Sequence, residues 1–411
     1  MNILLLNHYA GSVEMGMEFR PYYFAREWVN MGYSVRIAAG DFSHLRMKNP
    51  CVARDFQEEV IDGIHYHWLR TGDYRGNGIR RAVTMLRFAG KLWLKAKWIA
   101  ENWKPDVVIA SSTYPLDTYA AQRIRRFCGA RVIHEVHDMW PITLIEAGGM
   151  KKTHPFVILM QIAENAFCRH SDYVVSLLPH AKSYFIRHGM KAEKFKTIPN
   201  GIAQEEWEEA LPLPAEHKKQ MEALKSQGKF ILLYFGSFTK SYAIDLLIRA
   251  VQKTEAPQIA LICVGNGIEK EALIRLAETT CKEAFVFLPP VPKRAVPSLT
   301  SLADALYVGA LKNDMFRFGI CMNKLFDSMM AGRPILYAAE APDNYIETFS
   351  CGISVKAESV DDLAKGILKM VNLPEAERER MGQNGRKAAT EHFEYKTLAA
   401  RFAALFEETE Q

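Results

Sequence analysis

The sequence predicts an α/β protein of two Rossmann-like lobes, each a parallel sheet covered by helices, facing one another across a cleft. Three observations carry that expectation. The chain has 411 residues, too many for one comfortable core and suited to two domains of roughly 200 residues each. Short apolar runs alternate with segments of helical period, the pattern of a sheet buried on both faces. The alternation stops near residues 195–205 and restarts at residue 230, dividing the chain into two series.

In the first series, residues 3–6 read as a buried strand, 21–31 as a helix closed by Gly32, and 35–39 as the next strand, which completes a βαβ unit. A helix follows near 80–101, a strand at 106–110, a helix near 116–127, and strands at 131–136 and 173–177. After Pro199, Asn200 and Gly201 comes an acidic, proline-punctuated stretch, QEEWEEALPLPAEHKK, which marks a hinge. The second series has strands at 230–234, 259–264, 285–288, 305–308, 334–337 and 352–355, and residues 392–408 read as a closing amphipathic helix. The domains expected are therefore 1–200, 201–390, and a terminal helix, 391–411, free to return to the first lobe.

Composition narrows the class. With 49% apolar and 24% charged residues the chain is globular, and its longest apolar runs fall far short of the ~20 residues that span a bilayer. The N-terminus, MNILLLNHYAG, has no basic leader, which predicts a cytosolic protein. Seven cysteines, at 51, 128, 168, 263, 281, 321 and 351, form no CxxC pair and read as reduced thiols. Residues 1–200 carry 27 Lys and Arg against 18 Asp and Glu, a balance of +9, and the rest carry 25 against 29, or −4. A basic first half suits a phosphate, anionic lipid or nucleic acid, or is simply scattered surface charge.

Several loops carry candidate chemistry. The loop NHYAGSVEMGMEFRP joins the first strand to the first helix; Gly11 and Gly16 would let a phosphate approach the backbone, and Glu18 and Arg20 stand at the helix entrance. A plain flexible connection is the alternative. No GxxxxGK[ST] occurs, which excludes a P-loop nucleotidase. In VGNGIEKEAL, Gly265 and Gly267 follow a strand, but Lys270 stands where a dinucleotide fingerprint needs its third glycine. The richest stretch is FRFGICMNKLFDSMMAGRPI, residues 316–335. Amides around Gly319 and Ile320 could hold a diphosphate at a helix N-terminus, Asn323 and Lys324 add polar and cationic contacts, and Asp327 could accept two ribose hydroxyls. A capped surface helix with an exposed charge pair is the other reading.

This block resembles the donor-binding signature of glycosyltransferase family 4, which has the two-domain GT-B fold. In that signature two acidic residues lie eight apart ahead of an A-x-G-x-P turn; Asp327, Ala331, Gly332 and Pro334 fit the second acid and the turn, while the first acid falls on Gly319. Its contact with the sugar or phosphate would pass to backbone amides or to Arg317. The G-I-x-x-N-K-L core is similar to that of bacterial O-antigen and capsule transferases. Collinear landmarks extend the resemblance over nearly the whole chain: the first glycine loop, HEVHDMWP at 134–141, YFGSFTK at 234–240, VGNG at 264–267 and the closing aromatic helix. The resemblance implies that His137, followed by Asp138, contacts the donor sugar, with His134 packing instead. It implies that Gly236 and Ser237 form the diphosphate turn, and that Lys240 and Lys324 share the charge usually carried by an arginine. It further implies a retaining transfer without metal or other cofactor from a nucleotide-sugar donor, UDP-linked and carrying an N-acetylated hexosamine or a deoxyhexosamine. The acceptor would be a polyprenyl-diphosphate-linked glycan of surface polysaccharide biosynthesis. Asp361 and Asp362 sit at a helix start, where acids suit the dipole, and form no metal-binding loop.

Residues 80–99 project Arg80, Arg87, Lys91 and Lys95 onto one helical face with Leu94 and Trp98, and Met85, Ala89, Leu92, Trp93 and Ala96 onto the other. The basic face could rest on the anionic inner surface of the cell membrane, or be solvated. A nucleotide-sugar epimerase or hydrolase of the same fold is the alternative activity. Nucleic acid is not an expected partner, since no recognition motif is present and the second half is acidic.

Overall fold

The computed structural model describes residues 1–16, 19–278 and 284–407. Its two compact units are Met1–Pro199 with Tyr395–Gln411, and Asn200–Glu394.

The first unit is built on β1 (Asn2–Leu6), β2 (Ser34–Gly40), β3 (Gln57–Ile61), β4 (Ile64–Leu69), β5 (Val107–Ala110), β6 (Arg131–Val136), β7 (Tyr173–Ser176) and β8 (Phe195–Thr197). They lie in the order β3-β4-β2-β1-β5-β6-β7-β8, parallel except for the antiparallel β3–β4 pair. That hairpin is absent from the sequence reading. Its two-residue turn is Asp62-Gly63, with φ of 49° and 77°, the left-handed pair that an Asp-Gly dipeptide favours. The helix Pro155–His170 is likewise an addition; it buries Val157, Met160, Ala163, Glu164, Phe167 and Cys168 on one face.

The terminal helix also differs from expectation. Two helices, Glu375–Phe393 and Tyr395–Glu407, are separated at Glu394, whose extended backbone (φ −69°, ψ 135°) breaks the hydrogen-bond ladder. The second packs on the first-unit helix Phe19–Asn30. There the Trp28 ring meets Phe402 at 5.2 Å and Phe406 at 5.3 Å, and its Nε1 donates to the Ala399 carbonyl at 3.1 Å. An indole buried with its one donor satisfied makes a strong anchor.

In the basic helix Ile79–Trp103, Met85, Phe88, Ala89, Leu92, Ala96 and Ile99 face the core. Two residues depart from the sequence reading. Trp93 is 43% exposed, with the Arg123 guanidinium 3.5 Å from its ring centre. Lys91 is paired with Asp55 at 2.7 Å. Among the described residues no helix is long and apolar enough to cross a membrane.

The second unit holds a six-stranded parallel sheet: β9 (Phe230–Ser237), β10 (Ile259–Asn266), β11 (Phe285–Leu288), β12 (Ala305–Gly309), β13 (Ile335–Ala338) and β14 (Gly352–Ser354), in the order β11-β10-β9-β12-β13-β14. Its strands fall within a residue or two of the sequence reading at most ends. Strand order reverses between β1 and β5 in the first unit and between β9 and β12 in the second. At such a switch point neighbouring loops diverge and leave a crevice beyond the carboxyl ends of the strands. Those two places position the candidate site residues.

Candidate functional site

In the second unit the crevice is lined by glycines because the backbone crosses itself closely there. Gly265 has φ of 155°, and a Cβ on it would lie 1.9 Å from the Gly236 carbonyl oxygen; one on Gly267 would lie 2.2 Å from that of Phe238. No larger residue fits either position. Gly236, with φ of 132°, would place a Cβ 3.0 Å from Lys324 Nζ. The Ser237 carbonyl accepts the Tyr234 hydroxyl at 2.6 Å, which fixes the end of β9.

Lys324 is the distinctive cation of this crevice. It lies in the first turn of the helix Asn323–Met330, whose N-terminus has no side-chain cap. Its Nζ donates to the Tyr234 hydroxyl at 2.9 Å and stands 3.3 Å from the centre of the Tyr242 ring. Among the described residues no carboxylate pairs with it. Burial without a counter-ion pushes its ammonium down to about 7. A positive charge in an aromatic box, at a helix N-terminus without a side-chain cap, has the chemistry that suits an anion.

The other second-unit candidates are placed less uniformly. Gly319 closes the short turn Asp314–Phe318 with φ of 117°, and Ile320 is buried in the core beside it. Asn323 is exposed at the helix start, and Lys240 is exposed in the turn that also carries Tyr242. Asp327 is nearly buried, and both its oxygens take Lys293 Nζ, at 2.5 and 2.6 Å; a ribose would share that carboxylate with the lysine. Arg317 donates to the Asp314 carbonyl, stacks on Phe318, and borders an open pocket of about 890 Å³ beyond β12, β13 and β14.

In the first unit one expected contact is corrected. Arg20, expected at the substrate, is buried: its Nε and Nη2 donate to Glu135 Oε1 at 3.0 and 2.8 Å, and its Nη1 and Nη2 to the carbonyls of Pro199 and Ile198. Its charge is neutralised inside the fold. Gly11 and Gly16 are buried in their loop; a Cβ on Gly11 would meet Arg46 at an ordinary 3.4 Å, while one on Gly16, whose φ is 67°, would lie 2.8 Å from Met47. Glu18 lies outside the described residues.

His137 and Asp138 follow β6, and Asp138 is exposed there. His137 Nε2 lies 2.9 Å from Ser111 Oγ and 3.1 Å from Glu135 Oε2. His134 is packed face to face on Phe167 at 3.8 Å, and burial pushes its imidazole down to about 3, so it stays neutral. Glu135 and Ser111 escaped the sequence reading. The available signal was a glutamate inside an otherwise apolar strand, since a buried carboxylate requires partners.

Two Rossmann-like parallel-sheet units, with phosphate-suited loops at the switch point of the second, define a GT-B glycosyltransferase. The first unit matches the glycosyl transferase 4-like domain over residues 15–201, and the second the glycosyl transferases group 1 over 216–388. The chain belongs to glycosyltransferase family 4. It is 23% identical over 284 residues to the putative colanic acid biosynthesis glycosyl transferase WcaI of Escherichia coli, covering 66% of this chain and 68% of that protein. It is 23% identical over 270 residues to the probable glycosyltransferase WbjE of Pseudomonas aeruginosa, covering 64% and 63%. The chain thus spans about two thirds of the length of these relatives. Its fold is similar to that of Anabaena HepE in complex with UDP and glucose, with a TM-score of 0.66, 15% sequence identity, and 99% of each chain covered.

Proposed function

We propose that this glycosyltransferase moves a sugar, an N-acetylated hexosamine or a deoxyhexosamine, from a UDP-linked donor onto a polyprenyl-diphosphate-linked glycan in surface polysaccharide biosynthesis. The observation that carries the donor half is Lys324: an ammonium without a carboxylate partner among the described residues, boxed by Tyr234 and Tyr242 against Gly236. Breaking the bond between sugar and diphosphate leaves charge on the departing phosphate oxygens. A fixed ammonium and the amides of an uncapped helix stabilise that charge as it develops, without reorganising at the moment of reaction. Lys240 adds a second cation from the neighbouring turn, Asp327 with Lys293 serves the ribose, and Arg317 or the backbone at Gly319 takes the contact that an acidic residue makes elsewhere in the family. His137 serves the transferred sugar. The transfer retains anomeric configuration, with the leaving phosphate oxygens assisting removal of the acceptor proton, and needs no metal. HepE in its complex with UDP and glucose supports a UDP-linked donor, and the relatives WcaI and WbjE support the polysaccharide setting.

The acceptor half rests on the outward face of the helix Ile79–Trp103. Ile79 is 85% exposed and Leu94 72%, and Val83, Leu86, Trp93 and Trp98 are exposed beside them, among Arg80, Arg87, Lys95 and Lys97. Apolar side chains set among basic ones suit an anionic bilayer surface, where a lipid-linked acceptor resides. A thermal-shift screen of UDP-, GDP- and dTDP-sugars tests the donor assignment; stabilisation by GDP- or dTDP-sugars alone rejects UDP. Incubating the stabilising donor without acceptor separates a transferase from a hydrolase or epimerase, because rapid turnover without acceptor favours the latter.

A further inference from the structure

We propose that two adjoining cavities beside the outward face of the helix Ile79–Trp103 hold one anionic phospholipid of the bilayer, its headgroup phosphate among Arg54, Arg70 and Arg87 and the start of its acyl chain on Phe56, Leu94 and Trp98. The inference rests on the reading of that helix as membrane-facing and adds to it a defined headgroup site.

The first cavity, of about 580 Å³, opens between the loop after β4, the segment that enters β3 and the side of the helix. The second, of about 490 Å³, shares Arg54, Asp55 and Lys91 with it and continues along the helix to Lys95 and Trp98. Their linings hold five cations, at Arg54, Arg70, Arg87, Lys91 and Lys95, against two carboxylates, at Asp41 and Asp55. Both carboxylates are already answered. Asp55 takes Lys91 Nζ on both oxygens at 2.7 Å and the Arg70 amide at 2.8 Å, while Asp41 Oδ1 takes the Thr71 amide and hydroxyl at 2.8 and 2.9 Å. Arg54, Arg70, Arg87 and Lys95 form no ion pair among the described residues. A surplus of three positive charges, five less two, therefore faces one concave surface, where low-dielectric walls concentrate the field.

Backbone carbonyls place two of these cations. Arg87 Nη1 donates to the Thr71 carbonyl at 3.1 Å, and a Cβ on Gly72, whose φ is 90°, would lie 3.0 Å from the same atom, so a glycine admits the guanidinium to the loop. Arg70 Nη1 reaches the Ala53 carbonyl at 3.5 Å. Each guanidinium keeps further N–H groups for phosphate oxygens, in the planar fork that suits them. Next to them the wall turns apolar. Phe56 holds a left-handed backbone, φ 60°, which a bulky residue adopts only where its surroundings impose it. Its ring lies 5.8 Å from that of Trp98 and 5.9 Å from that of Trp103. Leu94 and Trp98 are exposed on the same stretch. A phosphate held among arginines with an apolar shelf beside it matches a phospholipid at the bilayer interface. The occupant is a bilayer lipid rather than the reacting acceptor, because the switch point lies between β1 and β5, and both β2 and β1 stand between it and β4.

The full-length protein is titrated with vesicles of phosphatidylcholine containing phosphatidylglycerol at about 0.15 M salt, where exposed charges more than roughly 8 Å apart are screened. Arg54→Gln with Arg70→Gln removes two exposed cations of the first cavity; Arg80→Gln with Lys97→Gln removes two exposed cations of the helix that line neither cavity. Both double variants replace exposed side chains and should keep the wild-type melting temperature. The first is expected to weaken vesicle binding by about tenfold or more, as loss of charge-assisted contacts requires, and the second by far less. Equal losses overturn the headgroup site and leave the membrane reading standing, whereas a wild type that ignores these vesicles removes both. A soluble lipid isolates the site: dihexanoyl phosphatidylglycerol, below its micelle threshold, is added to protein labelled with 15N-tryptophan, and the Trp98 indole signal is identified by its loss in Trp98→Phe. A saturable shift of that signal is expected, abolished in Arg54→Gln with Arg70→Gln. No shift, or an equal shift with dihexanoyl phosphatidylcholine, overturns the proposal. An equal shift with inorganic phosphate alone overturns it too, since the site would then serve a free anion.

Discussion

Replacing Lys324 by methionine separates a folding role from a donor-binding one. Methionine keeps an unbranched stem of similar length against Tyr234 and Tyr242 and removes only the charge. Burial pushes this ammonium from an ordinary 10.5 down to about 7. At about 1.4 kcal/mol per pH unit, that drop is an upper bound of roughly 5 kcal/mol on what burial of the cation costs the empty protein. Against it stand one hydrogen bond to Tyr234, about 1 kcal/mol, and the attraction to the Tyr242 ring, about 1–2 kcal/mol. The terms nearly cancel or favour the variant, so Lys324→Met should melt at the wild-type temperature or above it. Donor binding should suffer: one charge-assisted contact to phosphate is worth about 1.5–3 kcal/mol, or roughly 10- to 150-fold in Kd. The sign of the pH effect follows from the depressed value. Below pH 7 the ammonium is charged in the free protein and ready for a diphosphate; above it the proton must be taken up on binding, so affinity falls by up to about tenfold per pH unit until the bound-state value is reached. Titration calorimetry with UDP at pH 8, in two buffers of different ionisation enthalpy, should show uptake of close to one proton. A variant that loses several degrees yet binds UDP as tightly as the wild type would refute this reasoning, as would wild-type binding with no proton uptake.

Other consequences can be checked directly. Glu164 is fully buried; Tyr184 and Gln161 both donate to its Oε2, and its Oε1 has no hydrogen-bond partner among the described residues. Burial pushes this carboxyl up to about 8, so the folded state holds a proton that the unfolded state has released between pH 4.5 and 8. Stability therefore falls as pH rises through that window, and Glu164→Gln, which mimics the protonated acid, should stabilise by about 2–4 kcal/mol at pH 7.5 and by almost nothing at pH 4; denaturant melts with equal gains at both values count against it. Leu94→Glu with Trp98→Glu should weaken binding to anionic liposomes at low salt by tenfold or more without altering the melting temperature, and unchanged binding removes the membrane clause. Asp327→Asn should weaken donor affinity about tenfold, and unaltered kinetics would remove the ribose assignment.

The strands were legible because both faces of each sheet are covered, so each reads as an uninterrupted apolar run such as Phe230 to Tyr234. The hairpin β3–β4 was legible in its Asp62-Gly63 turn but hidden by the regular alternation around it. The glycines at 236, 265 and 319 could be read as backbone necessities, because their chemistry is local. The charged residues could not be sorted in that way. Arg20 and Lys324 each look like a cation beside a glycine loop. Arg20 finds its carboxylate 115 residues away at Glu135 and its carbonyls about 180 away at Ile198 and Pro199, whereas Lys324, among the described residues, finds phenol rings at Tyr234 and Tyr242 and no carboxylate. Periodicity and motif spacing report which residues lie on one face of one element; they do not report whether a carboxylate from another element closes on a charge. That closure decides the role here. A buried cation met by a carboxylate has its field cancelled and holds the fold, while one met only by aromatic faces keeps its field and costs stability until an anion arrives. The same test separates Asp327 from Lys324: both oxygens of that carboxylate already take Lys293 Nζ, so a ribose must compete with the lysine for them, whereas a phosphate approaching Lys324 displaces no carboxylate among the described residues.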